Sequence, residues 1–273
     1  MVIFKKRYFP DFMIIGAQKS GTSTLHFLLG QHPALVGSKP KEIHYFDQLP
    51  EERKSLEWYK SHFTRLYFER RKLFFESTPS YIYHNHIPAE LFALNPSMKF
   101  IVMLRDPVSR CFSAWNMYKN MFEQYEKGLS LAVNKDGLIF QYFFKGRTYF
   151  PTLEECIDIE LDLIRQKSQI MEPALLRRGL YHDQLVKYFS IFSTERFFII
   201  ESDYFRSNIC DCLDRFANFL GILPFNRNRL DIQNKNVRKY DGDILESTRS
   251  FLNKFYRDAN EKLYALLGVK YDW

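Results

Sequence analysis

Phe12-Met13-Ile14-Ile15-Gly16-Ala17-Gln18-Lys19-Ser20-Gly21-Thr22-Ser23-Thr24-Leu25 passes from an apolar run, through a short polar turn, into Leu25-His26-Phe27-Leu28-Leu29 and Gly30. An unbroken apolar run closed by glycine reads as a parallel strand buried on both faces. A Thr-Ser-Thr cluster ahead of an apolar stretch that ends in glycine reads as a capped helix. A strand, a glycine-bearing turn and a helix in that order aim backbone N–H groups and the positive end of a helix dipole at one point. Lys19, Ser20, Gly21, Thr22, Ser23 and Thr24 crowd a cation, hydroxyls and a glycine into this turn, so it reads as an oxyanion site. It is not a nucleotide-triphosphatase loop: Gly16 and Gly21 have that spacing, but Thr22 stands where the lysine belongs.

The rest of the chain repeats the alternation. Lys72–Glu76, Lys99–Arg105 and Arg196–Glu201 read as further strands. Helices are expected from Pro88 to about Leu94, from Asp106-Pro107 to about Tyr125, near 180–192 and 206–220, and over 243–267. Strands alternating with helices predict an α/β fold, a central parallel sheet flanked by helices. No linker composition divides the chain, so residues 1–273 read as a single domain, with 121–170 as a mobile insertion.

Composition excludes several classes. The chain has 273 residues, 46% of them apolar and 17% aromatic, too rich for a disordered or low-complexity chain. No stretch approaches the roughly 18 consecutive apolar residues of a membrane-spanning helix. The N-terminus lacks the order of a signal peptide, which makes a cytoplasmic location the expectation. Cys111, Cys156, Cys210 and Cys212 are too few and scattered for a disulfide framework or a zinc site. The net charge of +7 is uneven: residues 1–75 hold 13 basic and 7 acidic side chains, whereas residues 151–225 hold 8 and 12. Uneven charge points to an anion site, and composition alone leaves the kind of anion open.

Three further stretches complete a pattern. Arg105-Asp106-Pro107-Val108-Ser109-Arg110-Cys111-Phe112-Ser113 puts an arginine at a strand end with a serine eight residues on. Lys41-Glu42-Ile43-His44-Tyr45-Phe46-Asp47 carries two candidate bases, and the chain closes on Leu266-Leu267-Gly268-Val269-Lys270-Tyr271-Asp272-Trp273. Together with the turn at 16–24 these resemble the sulfotransferases that use 3′-phosphoadenosine 5′-phosphosulfate (PAPS), in their heparan-sulfate-type and bacterial branch, over nearly the whole chain. The resemblance implies a P-loop-kinase-like fold, PAPS as co-substrate, adenosine 3′,5′-bisphosphate (PAP) as product, and no metal.

It also implies roles. Lys19 would stabilise the leaving phosphate oxygen, and Ser20, Gly21, Thr22, Ser23 and Thr24 would hold the 5′-phosphosulfate. Arg105 and Ser113 would grip the 3′-phosphate. Asn236, Val237, Arg238 and Lys239 resemble the loop that closes over the adenosine bisphosphate, with Asn236 and Val237 departing from the Lys-Gly-Arg pattern. Glu42 aligns with the catalytic base, and His44 is its rival because small-molecule members use histidine. Glu76-Ser77-Thr78-Pro79 departs where glycan-modifying members carry lysine, and Ser77 argues against a highly sulfated glycan. A glycan, carrier-bound or small-molecule acceptor fits the resemblance. The alternatives are a nucleotide kinase or NTPase with an atypical phosphate loop, and a non-catalytic nucleic-acid-binding module.

Overall fold

The computed structural model describes residues 6, 7, 9–65, 72–128, 134–168, 170–232, 240 and 242–273. Strand β1 (Phe12–Gly16) is buried along its whole length. It lies between β3 (Leu73–Ser77) and β4 (Lys99–Leu104), with Phe12 opposite Phe75 on one side and Lys99 on the other. Strands β2 (Leu35–Gly37) and β5 (Phe197–Glu201) form the edges, giving five parallel strands in the order β2-β3-β1-β4-β5. Parallel strands require crossovers, and helices α1 (Thr22–Leu29), α2 (Ile87–Leu94), α3 (Pro107–Glu126), α4 (Leu153–Arg165), α5 (Tyr181–Phe189), α6 (Ile209–Leu220) and α7 (Glu246–Leu267) fall between or after them. This is the α/β class expected from the sequence.

By contact density the chain divides into two compact units, drawn from residues 1–105 with 183–238 and from residues 106–182 with 239–273. The first holds the sheet. Leu25, Leu28 and Leu29 of α1 and Leu213, Phe216 and Leu220 of α6 pack with Phe12, Ile14, Phe75, Ile101 and Met103. Side chains alternate faces along a strand, so Phe100 points the other way and meets the rings of Tyr188 and Phe192. The carboxyl ends of the strands, where open α/β sheets bind ligands, therefore bring Gly16, Gly37, Ser77, Leu104 and Glu201 to one edge.

In the second unit α3 begins at Asp106, whose carboxylate accepts the backbone N–H groups of Val108 and Ser109 at 3.2 and 3.0 Å, with Pro107 in the first turn. Its apolar face packs with Phe143, Phe144, Leu153, Cys156, Leu252 and Tyr256. Buried Glu160 on α4 accepts the N–H groups of Leu176 and Arg177 and pairs with the Arg177 guanidinium. Among the described residues no helix is long and apolar enough to cross a membrane.

Two details differ from the sequence reading. Edge strand β2 was not expected, because three residues give no periodicity. The helix expected over 206–220 breaks at Asn208 into a short helix, Ser202–Ser207, and α6. One close approach governs the rest: a Cβ on Gly16 would strike the Ile82 side chain and crowd the Pro79 carbonyl. Gly16→Ala is therefore expected to lower the unfolding free energy by about 1–3 kcal/mol in a denaturant titration, the range for overpacking a full core.

Candidate functional site

The turn after β1 is built to receive negative charge. The register of β1 against β4 shifts between Ile14 and Gly16, and Ala17 then donates its N–H to the Met103 carbonyl at 2.7 Å. The chain closes on itself when Ser20 N–H meets the Ala17 carbonyl at 3.2 Å. Gly21 caps α1 at φ +91°, a left-handed conformation that favours glycine, and its turn offers no side-chain cap and no acidic residue. The opening N–H groups of a helix have no acceptors inside it, so this end suits an oxyanion. Ser20 is fully buried and its hydroxyl meets no partner among the described residues, an arrangement that a phosphate or sulfate oxygen would satisfy. Arg105, just past β4, donates from Nη1 to the Lys19 carbonyl at 3.1 Å. Lys19 and Arg105 thus share the loop, with Thr22 and Thr24 buried and Ser23 half-buried on the first turn of α1.

The second candidate element is the stretch 41–47. Glu42 is ion-paired with Lys41 and lies 3.5 Å from His44 Nε2. On its other side the imidazole meets Asp47 through Nδ1 at 2.7 Å, and Asp47 also accepts the Ser80 hydroxyl. Burial opposes ionisation of Glu42, but the His44 and Lys41 contacts outweigh it and hold the carboxyl at about 2. Hydrogen bonds to Asp47 and Glu42 push His44 up to about 10. At neutral pH the stretch is therefore carboxylate, imidazolium, carboxylate. Asp47, lowered in the same way against the cost of its burial, was missed in the sequence although it stands three residues after His44.

Backbone strain marks the same residues. Lys19 (φ 69°), Glu42 (φ 62°) and His44 (φ 51°) occupy the left-handed region, joined among the described non-glycine residues by Lys167 (φ 50°). Each such residue costs about 1–2 kcal/mol, and strain of this kind gathers where a site demands a fixed geometry. The two elements meet through α1. His26 bonds the Ser77 hydroxyl at 2.7 Å, and burial together with the charge of Lys41 presses its imidazole down to about 4, so it is neutral.

In the second unit Ser113 is buried on α3 and bonds the Tyr240 hydroxyl at 2.6 Å, while the Phe112 ring meets Tyr240 edge-on. Tyr240 ends the stretch that resembles the closing loop, although nothing in the sequence assigns it a role of its own. Asn236, Val237, Arg238 and Lys239 lie outside the described residues. Among the described residues no group of three His, Cys, Asp or Glu side chains is arranged to hold a metal.

Comparison with known proteins adds three findings. The family model described as "Sulfotransferase domain" matches residues 9–241. The membrane-associated sulfotransferase kil1 of Dictyostelium discoideum is 26% identical over 97% of this chain, and the chain spans 66% of that protein's length. Heparan sulfate glucosamine 3-O-sulfotransferase 5 of Homo sapiens is 25% identical, with 97% of this chain and 74% of that protein covered. The fold matches that of a sulfotransferase from Alicyclobacillus acidocaldarius with a TM-score of 0.71 at 21% identity, over 96% of this chain and 97% of that one.

The charge pattern has a measurable signature. A carboxylate lowered from its ordinary 4.5 to about 2 adds stability that is lost as pH falls through the lower value. A histidine raised from 6.5 to about 10 adds stability that is complete below 6.5 and lost as pH rises through about 10. The His44 imidazole is expected to stay protonated from pH 5 to about 9 by NMR, and Asp47→Asn to bring its titration down toward 6.5.

Proposed function

The chain belongs to the sulfotransferase family, and we propose that it transfers a sulfuryl group from PAPS to an acceptor hydroxyl with Glu42 as general base. The observation that carries this reading is the pairing of an anion-ready turn at 16–24 with the ionised Glu42 beside it in the sheet-bearing unit. Lys19, Ser20, Gly21, Thr22, Ser23 and Thr24 would hold the 5′ end of the donor, and Arg105 and Ser113, with Asn236, Val237, Arg238 and Lys239, its 3′-phosphate side. The buried Ser20 hydroxyl and the uncapped start of α1 suit the oxygens of a phosphosulfate.

PAPS, when bound, supplies the sulfuryl group, whose bond to the phosphate oxygen breaks as the acceptor oxygen bonds to sulfur. Negative charge grows on the departing phosphate oxygen, so a cation fixed there lowers the barrier more than it favours binding. Lys19 has that role in this reading, held in a left-handed turn that leaves its side chain little choice of origin. Glu42 takes the acceptor proton. Its lone pairs are available at every working pH, whereas His44, as imidazolium, has none to offer. An acceptor hydroxyl that displaces Lys41 from Glu42 would remove one of the charges that depress the carboxyl and so raise its basicity.

Ser77, buried and bonded to His26, stands where glycan-modifying members carry lysine, which favours an alcohol or amine acceptor without dense sulfation. The named relative acts on heparan sulfate, but its substrate is read onto this chain only as the class of an alcohol. Glu42→Gln keeps the shape and removes the base. It is expected to lower kcat about 10²–10⁴-fold while PAP binding by calorimetry changes less than about threefold, a tenfold change being about 1.4 kcal/mol. Near-normal turnover of labelled PAPS across a panel of alcohols and amines would overturn the assignment.

A further inference from the structure

The Glu42–Asp47 turn holds two left-handed residues, and something must hold it there. Tyr81, fully buried, places its hydroxyl against the backbone of that turn. It accepts the N–H of Tyr45 at 3.0 Å and of Phe46 at 3.4 Å, two of the three peptides between His44 and Asp47. A phenol has one proton and two acceptor positions. Both acceptor positions are taken, so the proton has one direction left, and it goes to Glu76 Oε1 at 2.8 Å.

Glu76 is the anchor of this arrangement. It sits on β3, 0% exposed, and its partners are hydroxyls: Thr78 to Oε1 at 2.6 Å, Tyr81 to Oε1, and Tyr59 to Oε2 at 2.5 Å. Burial outweighs the three hydroxyls and leaves the carboxyl above its usual range, and in either charge state Oε1 accepts the Tyr81 proton. The rings around it pack face and edge: Tyr45 against Tyr59 and Phe46 against both Tyr59 and Tyr81. Tyr188 holds the Tyr81 carbonyl at 3.0 Å from the next layer. Sheet, turn and candidate base are thus joined through one phenolic oxygen. Neither Glu76 nor Tyr81 lies in the candidate donor site.

We infer that Tyr81, oriented by the buried Glu76 carboxyl group, is the positioning residue that keeps the Glu42–His44–Asp47 turn in its reactive shape. The inference rests on the reading of Glu42 as base, but two of its tests do not depend on turnover. The first uses the wild-type protein alone: the Tyr45 amide, in a loop, exchanges slowly with deuterium. Exchange at the rate of an unstructured peptide would sink the proposal.

The second compares variants. Tyr81→Phe keeps the ring and removes the oxygen. It is expected to lower kcat about 10- to 100-fold, the effect of a small misplacement at a reacting centre, with KM for PAPS and PAP binding within about threefold. The His44 titration moves down toward 6.5 in the same variant, because the charges of Glu42 and Asp47, with Lys41 and His84 around them, no longer face the ring at fixed distance. Glu76→Gln retains an acceptor for the Tyr81 proton and is expected to keep most of the rate, whereas Glu76→Met behaves like Tyr81→Phe. Tyr256→Phe, which deletes a buried hydroxyl bonded to the Leu176 carbonyl in the other unit, controls for general destabilisation. It should lower Tm without moving His44. A Tyr81→Phe enzyme with unchanged His44 titration, or with kcat lost only in proportion to the fraction unfolded, overturns the proposal. Should Glu42→Gln prove active while Tyr81→Phe still shifts His44, the base assignment fails and the positioning role stands.

Discussion

A peptide that must pass over a side chain with no room for a Cβ fixes much of this molecule. Gly16 ends a strand buried on both faces and rests on Ile82 and Pro79. Because β1 is paired on both sides, its end cannot slide, and the turn to α1 begins at a defined height above the sheet. The segment beneath it, Thr78 to Tyr83, follows directly from the neighbouring strand β3. One contact therefore sets the floor of the oxyanion turn and, through Ser80 and Tyr81, the position of the stretch that carries Glu42.

The sequence makes the inner strands β1, β3 and β4 and the turn at 16–24 legible for a physical reason, though not the three-residue edge strand β2. Burial on both faces leaves no polar alternation to confuse, and a glycine at the end of such a run marks the turn. Glu42 and His44 are legible as residue types, and Lys19 by its place in the loop. Their left-handed backbone is not, since no glycine or asparagine announces it. Asp47 was within reach, three residues from His44 in the same stretch, but half of its setting, the contact with Ser80, comes from thirty-three positions away. Glu76 and Tyr81 were hidden more thoroughly. In the sequence they belong to a strand end and a turn. Only the parallel pairing of β3 with β2 brings them beside the stretch 41–47, which follows β2.

The same contacts explain an electrostatic arrangement that is costly to build. Glu42 is half-buried, and burial alone would favour its neutral form. Lys41 and His44 reverse this, and Asp47 in turn keeps His44 charged. Each group needs the next, so the chain of charges has no stable half. That interdependence suits the proposed role of Glu42, which would have to stay ionised near a bound anion, where a single carboxylate would be driven toward protonation.

The buried network behind it answers a different requirement. Cations at Glu76 would have pulled its charge into balance but would also have added flexible side chains at the back of the turn. Among the described residues its partners are hydroxyls on two rings and a threonine, groups that lose little conformational freedom on burial. A saturated phenol between a carboxyl group and two backbone N–H groups has only one arrangement of its proton, and it transmits that single arrangement to the turn. Strain at Glu42 and His44 is then sustained by hydrogen bonds that favour no competing conformation, and relaxing the left-handed residues would leave the Tyr81 oxygen and the Tyr45 and Phe46 N–H groups buried and unmet.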